Sequence, residues 1–168
     1  MHSLVELAKQ SVVEFIKNKK VIAPPDPLPP EMSGKAGVFV CIKKHGRLRG
    51  CIGTFLPGTE NIAIETINNA ISAAVRDSRF PPVQEDELND LEFTVDLLSP
   101  PGKIEEISEL DPKKYGVIVT SGSRKGLLLP DLEGVDTPDE QLQIAKSKAG
   151  ILPHEKVDIF RFRVQRYK

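Results

Sequence analysis

The sequence predicts an α+β fold, a mainly antiparallel sheet with helices on one face. Three observations lead there. Apolar residues recur at helical spacing near the N-terminus and in shorter, strand-like runs further on. Short turn segments, Lys44-His45-Gly46 and Gly122 to Gly126, separate pairs of those runs as in hairpins. The order hairpin, helix, strand occurs twice, over residues 37–99 and 116–167, with negligible identity between the halves.

Ser3-Leu4-Val5-Glu6 has capping-box spacing, so Ser3 is expected to cap a first helix. Leu4, Leu7, Ala8, Ser11 and Phe15 carry that helix to about Lys17. Pro24, Pro25, Pro27, Pro29 and Pro30 end it, and the stretch 24–30 reads as a stiff, extended wrap over the surface. Val38 to Ile42 and Arg47 to Gly53 form the first hairpin. Thr59 is expected to cap a second helix with Ile64, Ile67, Ile71 and Ala74 on one stripe. Phe93, Val95 and Leu97 mark a strand stopped by Pro100-Pro101. Val117 to Thr120 and Leu127 to Leu129 make the second hairpin. Thr137-Pro138-Asp139-Glu140 combines cap, proline and glutamate at a helix start, with Lys146, Lys148 and Gly150 suited to its end. A single last strand is expected over Val157 to Tyr167.

The 168 residues suffice for one domain, or for two small subdomains sharing a core. A chain of that length buries about two-thirds of its unfolded surface and needs no staple. Cys41 and Cys51 do not make a disulfide framework. Residues 1–20 include Glu6, Lys9, Glu14 and Lys17 and lack a signal peptide's apolar core. No run approaches the roughly 20 apolar residues of a membrane span. The expected setting is the cytoplasm. A net charge of -1 and only 5% aromatic residues argue against nucleic-acid binding. His2, His45 and His154 are scattered and no Cys-x-x-Cys occurs, so neither a metal site nor another cofactor is expected.

The segment Leu48-Arg49-Gly50-Cys51-Ile52-Gly53 carries the chemistry. Strict alternation puts Arg47, Arg49 and Cys51 on one face, and Leu48 and Ile52 on the other. A guanidinium beside a thiol raises its thiolate fraction, which makes Cys51 the candidate nucleophile or thiol ligand. Gly50 and Gly53 permit close approach of a ligand, although a bulge or tight packing explains them equally well. His45 lies a strand's length from Cys51 and is not expected to act as its base. Cys41 depends on the loop. A three-residue loop places it on the Cys51 face, where a redox pair or joint metal site becomes available; a two-residue loop places it on the opposite face. A buried strand residue is the expected role.

Arg76, Asp77 and Arg79 follow the second helix and are candidate ligand-binding residues, since guanidinium forks match phosphates and carboxylates. The competing reading is a local ion pair around Asp77, with Phe80 anchoring the loop. Ser121 to Gly126 has the composition of a phosphate cradle, but lacks P-loop order and precedes a strand, so it reads as a hairpin turn.

Taken together, these segments resemble the AMMECR domain family over nearly the whole chain. The hexapeptide 48–53, Ala73 to Pro82, Gly126 to Pro130 and Lys148-Ala149-Gly150 are similar to four of its motifs, in the same order. Ser78 stands where a proline is expected. Lys146 replaces a cysteine common in relatives, so a two-cysteine mechanism through that position is not available. The tryptophan often found after the last motif is missing. The resemblance implies a larger and a smaller subdomain around a cleft, with the hexapeptide near it. It also implies prokaryotic partners, a Memo-like protein and a radical-SAM protein, the AmmeMemoRadiSam set. It names no reaction.

Two functions follow as expectations. One is a modification reaction, with Cys51 as nucleophile or thiol ligand and Arg49 and Arg76 holding an anionic group. The other is a non-catalytic adaptor that presents a substrate or docks a partner enzyme.

Overall fold

Two four-stranded sheets, rather than one, are built by the chain in a computed structural model that describes residues 1–168. In chain order the elements are α1 (Ser3–Asn18), α2 (Pro30–Ser33), β1 (Gly37–Lys44), β2 (Arg47–Thr54), α3 (Ile62–Val75), β3 (Leu91–Leu98), β4 (Gly102–Lys103), β5 (Gly116–Ser121), β6 (Arg124–Leu128), α4 (Pro138–Lys148), β7 (Asp158–Phe162) and β8 (Val164–Tyr167). Met1–Leu98 with Gln165–Lys168 form one unit, and Ser99–Val164 the other. No helix is long and apolar enough to cross a membrane.

The first unit carries the sheet β2-β1-β3-β8, in which β1 pairs antiparallel with both β2 and β3. Val38, Val40, Ile42, Phe93 and Val95 alternate onto one face and meet α3, on which α1 packs in turn. Each such side chain, fully buried, contributes roughly 1.5–3 kcal/mol. Helix α3 is enclosed on almost every side. Of the expected stripe, Ile67, Ile71 and Ala74 are buried and Ile64 is half-buried; Ala63, Ala70, Glu65, Thr66 and Asn69 are buried as well.

Both helix starts in this unit differ from expectation by a residue or two. His2 caps α1, its Nδ1 accepting from the Leu4 N–H at 3.2 Å, while the Ser3 hydroxyl donates to Glu31. Asn61 caps α3 by accepting from the Ile64 N–H, and Thr59 donates its hydroxyl to the Asn61 carbonyl. The expected capping residues are present in both turns, but a neighbour with a side-chain acceptor in better reach takes the orphan N–H.

The second unit carries the sheet β4-β7-β5-β6, also antiparallel, with α4 against β5 and β6. Val117, Val119, Leu128, Leu142 and Ala145 form its core. Thr137 caps α4 as expected, accepting from the Glu140 N–H and donating to its carboxylate. Lys148 donates to the Leu127 carbonyl at 2.8 Å, and Gly150 takes the left-handed conformation that ends the helix.

The single strand expected over 157–167 is two strands in different sheets. β7 joins the second sheet and β8 the first. At the break, the Ser99 N–H donates to the Arg163 carbonyl and the Arg163 N–H donates to the Ser99 hydroxyl oxygen at 2.7 Å. Alternation continues through a break of this kind, so periodicity alone does not reveal it.

Candidate functional site

The β1–β2 turn has two residues, His45 (φ 50°) and Gly46 (φ 75°), both in the left-handed region that tight hairpins favour. Lys44 pairs with Arg47 and Lys43 with Leu48, but Ile42 pairs with Gly50. Arg49 is therefore the extra residue of a β-bulge. One extra residue reverses the alternation beyond it, so Cys51 lies directly opposite Cys41 with 4.1 Å between their Cα atoms. A two-residue loop was expected to separate the cysteines onto opposite faces; the bulge cancels that separation.

Cys41 and Cys51 are joined in a disulfide, and neither is free. The shared face makes this pairing possible, the case the sequence left open; what is corrected is the plain, buried strand role expected for Cys41. It is half-buried. In the bonded state Cys51 has no thiol, so a role as nucleophile or ligand belongs to the reduced chain.

The bulge also takes Arg49 away from Cys51. Its Nε and Nη2 donate to the two carboxylate oxygens of Glu87 at 3.0 Å each, and Lys44 adds a third bond at 3.1 Å. Glu87 lies in the turn just before β3. Hydrogen bonding from Arg49 first, with Gln84 and Lys44 behind it, outweighs burial and lowers the Glu87 carboxyl to about 2.

Asp77 and Arg79 close the edge of β2, which has no strand on its outer side. The Cys51 N–H donates to Asp77 Oδ2 at 3.0 Å, and Arg79 Nη2 reaches the Cys51 carbonyl at 3.5 Å. Arg79 also grips Asp77 with its Nε and Nη2 at 3.0 and 2.7 Å. The pair thus does for Cys51 what a neighbouring strand would do. Because the backbone of Cys51 faces outward, Cys41 and Cys51 are a non-hydrogen-bonded pair, the position where opposed side chains come closest. Asp77 is buried, and its bonds from Arg79, then from Cys51, hold its carboxyl far below the usual carboxylate range.

The two glycines are filled from within the protein. A Cβ on Gly50 would overlap the Ala73 carbonyl oxygen of α3, and one on Gly53 would overlap the Phe39 ring. Close packing is the reading their surroundings support. Gly126 on β6 meets the Ala145 carbonyl of α4 in the same manner.

Of the predicted residues, Gly50, Cys51, Gly53, Asp77 and Arg79 gather around the edge of β2. Arg49 engages Glu87, and Arg76 stays outside, exposed, with its guanidinium donating to the Ser72 hydroxyl. His45 faces Asp90 at 3.7 Å. In the second unit Arg124 is tied to Glu155 and the Gly150 carbonyl, so segment 121–126 is a pinned hairpin turn. Nothing in the sequence pattern singles out Phe39 or Glu87, and the pairing of Cys51 with Cys41 stays open until the register is known. An isolated glycine in a strand pattern is a bulge signal, and Gly50 is one.

A sequence model of the AMMECR1 family matches residues 5–167. A protein of Thermotoga maritima is 54% identical over 170 residues, covering 99% of this chain and 98% of its own length. A protein of Clostridium acetobutylicum is 52% identical over 98% of this chain, and the matched part makes up 35% of that longer protein. The crystal structure of an uncharacterized protein from Pyrococcus horikoshii superimposes with a TM-score of 0.90 at 36% identity, covering 97% of this chain and 88% of that one.

Proposed function

The chain belongs to the AMMECR1 family, and we propose that its hexapeptide hairpin is a thiol–disulfide site serving a modification reaction. The observation that carries this reading is the direct opposition of Cys41 and Cys51 on a half-buried pair at the edge of a sheet. Such a pair takes two electrons and two protons from a dithiol and opens to two thiols, and the dithiol leaves as its own disulfide. In the cytoplasm, the compartment we propose, disulfides are mostly transient and catalytic or redox-sensing rather than staples. As partners we propose the Memo-like and radical-SAM proteins that the resemblance implies. Anion binding by Arg49 and Arg76 is not part of the proposal, because Glu87 neutralises the first and the second stands apart.

A second reading, the non-catalytic adaptor, draws support from the internal pairing of Arg49, Asp77 and Arg79. Serine variants separate the two. In a host that depends on this protein, Cys41→Ser and Cys51→Ser should each abolish function while circular dichroism stays native. Full function in either folded variant refutes the thiol–disulfide reading and leaves the adaptor.

A further inference from the structure

We infer that Cys51 is the sulfur an incoming thiolate attacks, with Cys41 as the leaving sulfur, and that the thiol arrives over the outer side of β2, past Arg79. This deepens the thiol–disulfide reading and rests on it. Displacement at sulfur is in line: nucleophile, attacked sulfur and leaving sulfur lie close to one axis, so access decides which sulfur reacts. Here that axis crosses from β1 to β2, since the two residues are direct register partners. Extended past Cys51 it leaves the sheet, because β2 is the last strand. Extended past Cys41 it runs over β3, where Thr94 is the register partner of Cys41 and the buried Asp96 is that of Phe39. Attack on Cys41 therefore comes over a neighbouring strand and toward a buried carboxylate, with which Arg166 pairs.

The outer side of β2, where Asp77 and Arg79 close only the Cys51 backbone, is also chemically suited to a thiolate. Asp77 and Arg79 neutralise each other, but the Arg79 side chain is 56% exposed and keeps guanidinium N–H donors within reach of an incoming thiolate. Leu48, 41% exposed on the same strand, adds apolar surface for the carrier of the thiol.

The step balances. The thiolate RS⁻ bonds to Cys51 Sγ, the Cys51–Cys41 bond breaks, and its electron pair leaves on Cys41, which takes a proton from water. A second thiol then attacks the mixed disulfide, releasing Cys51 as a thiol and R as its disulfide.

Glutathione is the probe. The oxidised wild-type chain is mixed with it, trapped within seconds by an alkylating agent and mapped by mass spectrometry. In parallel, Cys41→Ser and Cys51→Ser are treated with oxidised glutathione. The expected result is glutathione on Cys51, alkylating label on Cys41, and at least tenfold faster glutathionylation of Cys51 in the first variant than of Cys41 in the second. Adducts mainly on Cys41, or equal on both, overturn the assignment while leaving the redox pair intact. Two free thiols in the wild-type chain after treatment with a mild oxidant overturn the thiol–disulfide reading beneath it.

Discussion

Alanine at position 50 would push a methyl group into the Ala73 carbonyl, backbone against backbone, with no flexible side chain to yield. Overpacking of that kind costs roughly 1–3 kcal/mol. Gly50→Ala should therefore lower the urea midpoint, whereas Gly102→Ala, with nothing within 4 Å of the added atom, should leave it nearly unchanged. Equal midpoints for the two would mean that β2 does not press on α3 as described. The Arg49–Glu87 pair makes a prediction in pH. Glu87 has a folded value of about 2 against 4.5 for the free group, so the unfolded chain takes up its proton first as pH falls. Its stabilising contribution is complete above 4.5 and is lost between 4.5 and about 2. Glu87→Gln should flatten the acid limb of the stability curve in that window, and an unaltered limb would count against the pair. At this scale the sequence names the right neighbourhood but not each residue's partner. Arg49 finds Glu87 at a separation of 38 residues, and only the bulge turns it that way.

Elements were legible wherever a local signal fixes them. The box at Thr137 is such a case, because cap, proline and glutamate all act within one turn. At α3 the turn was legible but the capping atom was not, since Thr59 and Asn61 both carry acceptors and backbone geometry chooses between them. Asn61→Ala should destabilise the chain by about 1 kcal/mol in denaturant titration, the usual cost of a lost cap. No measurable change would return the capping role to Thr59. The hairpin was legible as a hairpin, whereas its register was not: turn length sets register only where no bulge follows. The same limit applies to the last strand, where Ser99 holds the switch point from a distant stretch of chain.

For the molecule as a whole, the α+β class was readable from the order of elements, but the division into two sheets was not. Long-range pairing decides it: β8, the last strand of the chain, is placed beside β3 in the first sheet. Arg166 grips the almost fully buried Asp96 through two bonds of 2.8 and 2.7 Å. Removing one partner of a buried pair strands the other, at a cost of roughly 3–5 kcal/mol. Arg166→Ala should thus destabilise the first unit far more than Asp96→Asn combined with Arg166→Met, and equal losses would argue against a buried pair. Redox pairing of Cys41 and Cys51 at the edge of the first sheet is tested most directly by counting alkylated thiols by mass spectrometry across a series of thiol–disulfide redox buffers. Cys41 and Cys51 should lose and regain their labels together in one two-electron transition, with the fold retained. Labels that appear on the two residues independently, or on both under oxidising buffer, would contradict the pairing.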